Sequence, residues 1–343
     1  MVSTGLVERT LLMRTQEPSE KASSSTGSIV HRKDAKPIVI DGRDEIHAVA
    51  VFVDGKHAVS GDDEGKIRRW QIEDGKEAGT AMDAGSAVVD IAVSRDGKRI
   101  VGGTSSGLVT VWNASSHSKV AEFQAHGKWV QAVDVSPDAT KIATGSLDCT
   151  VCVWSLSTGK RLLGPLEHNS SVAAARFSPD RGRLIATATW EHDSVRVYDS
   201  KKGSLLVEFP VRVSSEYNQS LAWASDSRQL FALSKDGYIH HVDVSAKTTL
   251  SKWRIYSSDS PECIALASNG TFVAASAGSS VSFWDTTSQA QIGTVIEYTH
   301  YVAAMAMSST YDLVTSGDKG ITFRALCGTQ VPSHYLGNVS VPE

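Results

Sequence analysis

Residues Ser60 to Trp70 read SGDDEGKIRRW, with Gly61, Gly65 and Lys66 spaced almost as in a phosphate-cradling loop. Such a loop needs four residues between its glycines and a Ser or Thr after the lysine, so that backbone N–H groups wrap the phosphates and the hydroxyl reaches magnesium. Here only Asp62, Asp63 and Glu64 lie between the glycines, and Ile67 follows the lysine. Carboxylates in that position repel a phosphate, so the stretch calls for a different explanation.

Repetition supplies it. Stretches resembling Ser60 to Trp70 recur with their last aligned residue at Trp112, Trp154, Tyr198, Val242, Trp284 and Arg324, at spacings of 42, 42, 44, 44, 42 and 40 residues counted from Trp70. Each has Ile or Val three residues earlier: Ile67, Val109, Val151, Val195, Ile239, Val281 and Ile321. Upstream of each lies a second signal, such as IAVSRDGKRIVG or VDVSPDATKIAT: an alternating strand, a turn built on Ser, Asp, Asn or Gly, and another β-rich strand. SGDDEGKIRRW is therefore expected to be the next hairpin turn followed by a third strand. Self-similarity at such a period is the mark of a repeat architecture.

The unit, with its SPD turn and terminal Trp-Asp, resembles the WD-repeat β-propeller family. The resemblance covers residues 37 to 326, although the Trp-Asp pair itself stands only at Trp284-Asp285. It implies an all-β, seven-bladed β-propeller of four-stranded blades, closed by an N-terminal strand at KPIVI, residues 36–40. The expected division is a polar, disordered arm over residues 1–35, the propeller over 36–326 and an irregular tail over 327–343. In that family a His, a Ser or Thr, an Asp and the Trp form a hydrogen-bonded network, and the third unit has all four as His126, Thr144, Asp148 and Trp154. The fourth unit keeps His168 and Thr187 with Tyr198; the first keeps Ser60 and Trp70. These are structural groups.

Chemistry elsewhere is sparse. GTSSG, residues 103 to 107, matches a serine-hydrolase string around Ser105, but the repeat places it in a hairpin turn instead of the strand-to-helix elbow the motif requires. His240 and His241 are neighbours on one strand and point to opposite faces. Cys149 and Cys152 form a C-x-x-C with no second close ligand pair, so no metal and no cofactor is expected. With 34 basic against 38 acidic residues and a net charge of -4, nucleic acid is an unfavoured partner. No apolar run approaches a membrane span and no basic-then-apolar leader opens the chain, so an intracellular, cytoplasmic protein is expected.

What remains is docking. The mostly apolar column Ile46, Val88, Val130, Val172, Asn218, Pro261, Val302 at the starts of the first strands is expected between blades, and its neighbours on either side should border one face. Glu45, Trp129, Tyr217 and Tyr301 precede it; His47 and Gln131 follow it. Trp190 and Asp63 in the hairpin turns join the same face. Trp and Tyr are enriched in binding hot spots, and the expected activity is that of a non-catalytic, monomeric scaffold binding protein or peptide segments there. A channel enzyme and a histone- or nucleic-acid-associated propeller are the competing readings.

Overall fold

A computed structural model describes residues 36–41, 44–190, 194–213, 219–256, 261–318, 320–326 and 330–336. The expected arm, residues 1–35, lies outside them, as does Tyr217.

Seven four-stranded antiparallel sheets follow one another along the chain. Blades one to six run over 46–83, 88–124, 130–167, 172–209, 221–254 and 261–297. Blade seven takes three strands from 304–325 and its fourth, outer strand from Ile38–Asp41. The register of that closing strand, Ile38 opposite Phe323 and Asp41 opposite Gly320, joins the two ends of the described ring and leaves no open edge there. Among the described residues the only helical element is the short 3-10 turn Ser333–Leu336.

Local chemistry explains the hairpins. At the lower end of the blades, the serine of each SRD or SPD turn bonds the aspartate two residues on, as in Ser94 Oγ to Asp96 (2.6 Å) and Ser136 Oγ to Asp138 (2.6 Å). At the upper end lies the turn from Asp62 to Gly65. Gly65 adopts φ +77°, and a Cβ there would stand 2.8 Å from the Ser86 carbonyl oxygen, so only glycine fits. Asp62 Oδ1 accepts the Lys66 backbone N–H (2.7 Å), and Lys66 Nζ reaches Asp83 Oδ2 on the outer strand (2.7 Å). The lysine thus serves its own blade.

The core lies in the seams. Val101, Val109 and Val111 of blade two pack with Val130, Val133 and Trp154 of blade three, and the Trp154 ring sits 5.0 Å from Phe123 on the outer strand of blade two. The tail also joins this packing: Val331 and Leu336 are buried against blades six and seven, and the Tyr335 carbonyl accepts from Asn269 Nδ2 (2.7 Å).

Candidate functional site

Blade three carries a continuous relay. Trp154 Nε1–H donates to Thr144 Oγ1 (2.9 Å), and that hydroxyl lies 2.7 Å from His126 Nε2. On the other side of the ring, His126 Nδ1 approaches Asp148 Oδ2 at 3.0 Å. The carboxylate can only accept, which assigns the proton to Nδ1 and leaves Nε2 to accept from Thr144. Burial lowers the His126 pKa, against the pull of Asp148, consistent with a neutral ring. Asp148 is further held by the N–H groups of Gly127 and Thr150 and by the Thr150 hydroxyl. With every buried donor matched, the set locks the loop that leaves blade two onto blade three.

Other blades solve the same problem differently. Trp70 donates to Ser60 (2.8 Å), which holds the equivalent second-strand position. Blades two and six have Gly102 and Ala274 there, without a hydroxyl. Trp112 turns instead to Thr110 (3.2 Å) and Trp284 to Ser282 (2.8 Å), each two residues back on its own strand. In blade four the Tyr198 hydroxyl and Thr187 both approach His168 Nε2, at 3.3 and 3.0 Å.

The upper face, where the inner strands begin, carries the residues expected to dock. Trp129 is 50% exposed. Asp63 is exposed, and Glu45 and His47 are half-buried beside it. His47 Nε2 bonds Asp63 Oδ1, while His47 Nδ1 lies 3.8 Å from Glu45 Oε1. These three are the one group among the described residues close enough to share a metal ion. Tyr301 is half-buried. Trp190 packs in part against the core of blades four and five.

Gln131 requires correction. Simple alternation places it on the same face as Trp129, but it is only 6% exposed. A β-bulge between Val130 and Ala132 breaks the alternation, as it does between Ile46 and Ala48, Val88 and Asp90, and Val172 and Ala174. Its neighbours in the same column, Val89, Ala173 and Ala303, are likewise buried.

Three inner-strand residues form a second polar centre. Asp90 Oδ2 accepts the Val133 N–H of blade three (2.8 Å), and Asp134 Oδ2 accepts the Phe177 N–H of blade four (2.7 Å). Arg176 Nη1 donates to the Val133 carbonyl (3.0 Å) and lies 3.4 Å from Asp90. Burial pushes Asp134 up to about 6, with Arg176 opposing. Each carboxylate ties one blade to the next. The visible signal was a charged residue interrupting an apolar inner strand.

Ser105 lies in the turn between strands Arg99–Thr104 and Leu108–Asn113, and a Cβ at Gly107 would meet the His126 carbonyl oxygen at 2.3 Å, so this glycine serves packing. A cleft of about 310 Å³ between blades five and six is lined by Phe231, His241, Leu250 and Thr286. His241 stacks on Phe231 (4.3 Å between centroids) and is held by Gln229 (2.7 Å). Among the described residues no helix is long and apolar enough to cross a membrane.

Sheet count, closure and seam networks define a seven-bladed β-propeller. Residues 117–155 match the WD domain, G-beta repeat family, and the chain is accordingly a propeller carrying a WD repeat. The matched segment begins before the outer strand of blade two and ends with the third strand of blade three, so it holds His126, Thr144, Asp148 and Trp154 together. That one-strand offset between repeat and blade is why the last blade must borrow Ile38–Asp41. Among solved structures, one described as "Structure of U3-55K" is similar in fold, with a TM-score of 0.74 and 18% identity over 85% of this chain and 99% of that one. A comparison with curated proteins found no match.

Proposed function

We propose that the chain is a non-catalytic, monomeric scaffold, working in the cytoplasm, that binds protein segments on the upper face around Trp129. The supporting observation is Trp129 itself. An indole half in solvent, outside every core cluster, adds little to stability, yet such a rigid amphipathic ring is the typical anchor of a binding hot spot. Glu45, His47, Asp63, Trp190 and Tyr301 surround the same end of the ring; Tyr217 lies outside the described residues, and in blade five the position before the inner strand falls to Arg212. The seam networks tie neighbouring blades together, an arrangement that favours a low ordering cost of binding.

Affinity capture with the intact chain, compared by quantitative mass spectrometry with a Trp129→Ala/Tyr301→Ala variant, tests the reading. Specific partners are expected to drop out with a variant that still melts like the parent. Partners retained in full by that variant would contradict it.

A further inference from the structure

One backbone contact repeats around the upper face. The N–H that opens the turn after the second strand donates to the carbonyl just before the inner strand: Asp63 to Glu45 (3.1 Å), Ser105 to Ala87 (2.9 Å), Leu147 to Trp129 (3.1 Å) and Trp190 to Ser171 (3.0 Å). Blade five has Lys235 to Arg212 (2.8 Å). The contact makes these pairs equivalent, so their chemistry can be compared blade by blade. Blade one offers two carboxylates, blade two small groups, blade three two large apolar side chains, blade four a serine and an indole, and blade five two exposed cations.

The acidic end is stronger than its pair alone. Asp44, Asp62 and Glu64 stand at the same end of blade one. Burial holds the Asp62 carboxyl above its ordinary value, opposed by the Lys66 N–H and by Arg68, and the neighbouring Asp44 adds to the rise. The nearest described cations are already engaged: Lys66 with Asp83, and Arg68 with Glu77 and Asp62. Arg43, in the same loop by sequence, lies outside the described residues. Between this pole and Trp129, blade two is a low saddle. Its upper side chains include nothing larger than serine over residues 85–87 and 105–107, and Ser86 Oγ bonds Ser106 Oγ (2.8 Å).

We infer that the upper face takes an extended protein segment with a Lys or Arg over Asp63 and Glu64, small residues across blade two, and a large apolar residue against Trp129 and Leu147. Lys235 of blade five repels a basic group at the far end, so the charge order also sets the direction in which the segment lies. This rests on the docking reading above and adds the partner's chemistry to it.

Selection of random peptides of about twelve residues on the intact chain, followed by fluorescence-anisotropy titration of the recovered sequences, tests it. The winners are expected to carry a Lys or Arg a few residues from an aromatic or Leu. Asp63→Lys with Glu64→Lys should weaken them about tenfold or more, and raising salt from about 0.05 M to about 0.3 M should weaken binding to the parent several-fold. Both positions are exposed in a turn, and the milder Asp63→Ser/Glu64→Ser variant gives a second reading of the same loss. Peptides without an excess of basic residues, binding indifferent to both pairs of substitutions, or no recovered peptide at all would overturn the inference. Peptides lost on Trp129→Ala but indifferent to charge would overturn it while leaving the docking face standing; peptides indifferent to Trp129→Ala as well would remove the face.

Discussion

Two tryptophans of blade three divide the molecule into its two kinds of region. Trp154 is 7% exposed, packed on Phe123 of the preceding blade and hydrogen-bonded into a chain that ends at Asp148. Trp129, 25 residues earlier, is 50% exposed and belongs to no core cluster. The first residue type repeats because the seam between blades repeats; the second occurs once in its column, and in the docking reading proposed above it answers to something outside the chain. A repeat protein therefore separates its two demands by position: periodic residues build the ring, and aperiodic ones at fixed places in the period are free to specify function.

The largest effect should come from cutting the seam. Trp154→Ala removes a buried ring and leaves the Thr144–His126 pair short of its donor, and is expected to cost about 3–5 kcal/mol in chemical denaturation. A cost under about 1 kcal/mol would mean that the blades are held by something other than the indole.

Next in size is the contrast between blades three and two. Thr144 serves both an indole and an imidazole, whereas Thr110 serves an indole while approaching the Gly102 carbonyl only at 3.5 Å. Thr144→Val should therefore cost about 2 kcal/mol and Thr110→Val about 1 kcal/mol. Equal costs would show that the relay to His126 contributes nothing beyond a single bond.

Smaller still is a dependence on pH. Burial holds His168 at about 4 in the folded chain, against an ordinary 6.5. Between those values the unfolded chain binds the extra proton, so the stability from the neutral ring is whole above about pH 6.5 and is lost as pH falls toward 4. Asp134 acts in the opposite sense: at about 6 when folded against 3.8 unfolded, it makes the folded chain the better proton acceptor through that window. The two partly cancel, and His240, also lowered to about 4 by burial, adds to the His168 direction. His168→Gln removes one contribution alone, so its melting temperature should fall less than the parent's between about pH 7 and about pH 5. An equal or steeper fall would show that His168 is not neutral in its seam.

The ring was legible in the sequence because a seam imposes its requirements seven times over. Hydrophobic spacing, turn serines and the closing strand all followed from that. His126, Thr144, Asp148 and Trp154 could be assembled because the third unit departs least from the repeat. What escaped notice depended on backbone geometry or on compensation. The bulge that buries Gln131 is marked only indirectly, by the consecutive buried pairs Val88-Val89, Val172-Ala173 and Val302-Ala303 in other units, while in its own unit the polar Gln131 mimics simple alternation. Thr110 and Ser282 take over the hydroxyl that Gly102 and Ala274 lack, a shift readable only once the strand pairing is known. Asp90, Asp134 and Arg176 were visible as charges in apolar strands, but their partners lie on neighbouring blades, 43 residues on for each aspartate and 43 back for the arginine.

The separation of seam from face is tested most directly at Trp129. With a peptide recovered on the intact chain as ligand, Trp129→Ala should weaken binding by about 2 kcal/mol or more while its unfolding free energy stays within about 1 kcal/mol of the parent's. A Trp129→Ala chain that is strongly destabilised, yet whose folded fraction binds with full affinity, would place Trp129 in the packing of its own blade and the docking surface elsewhere.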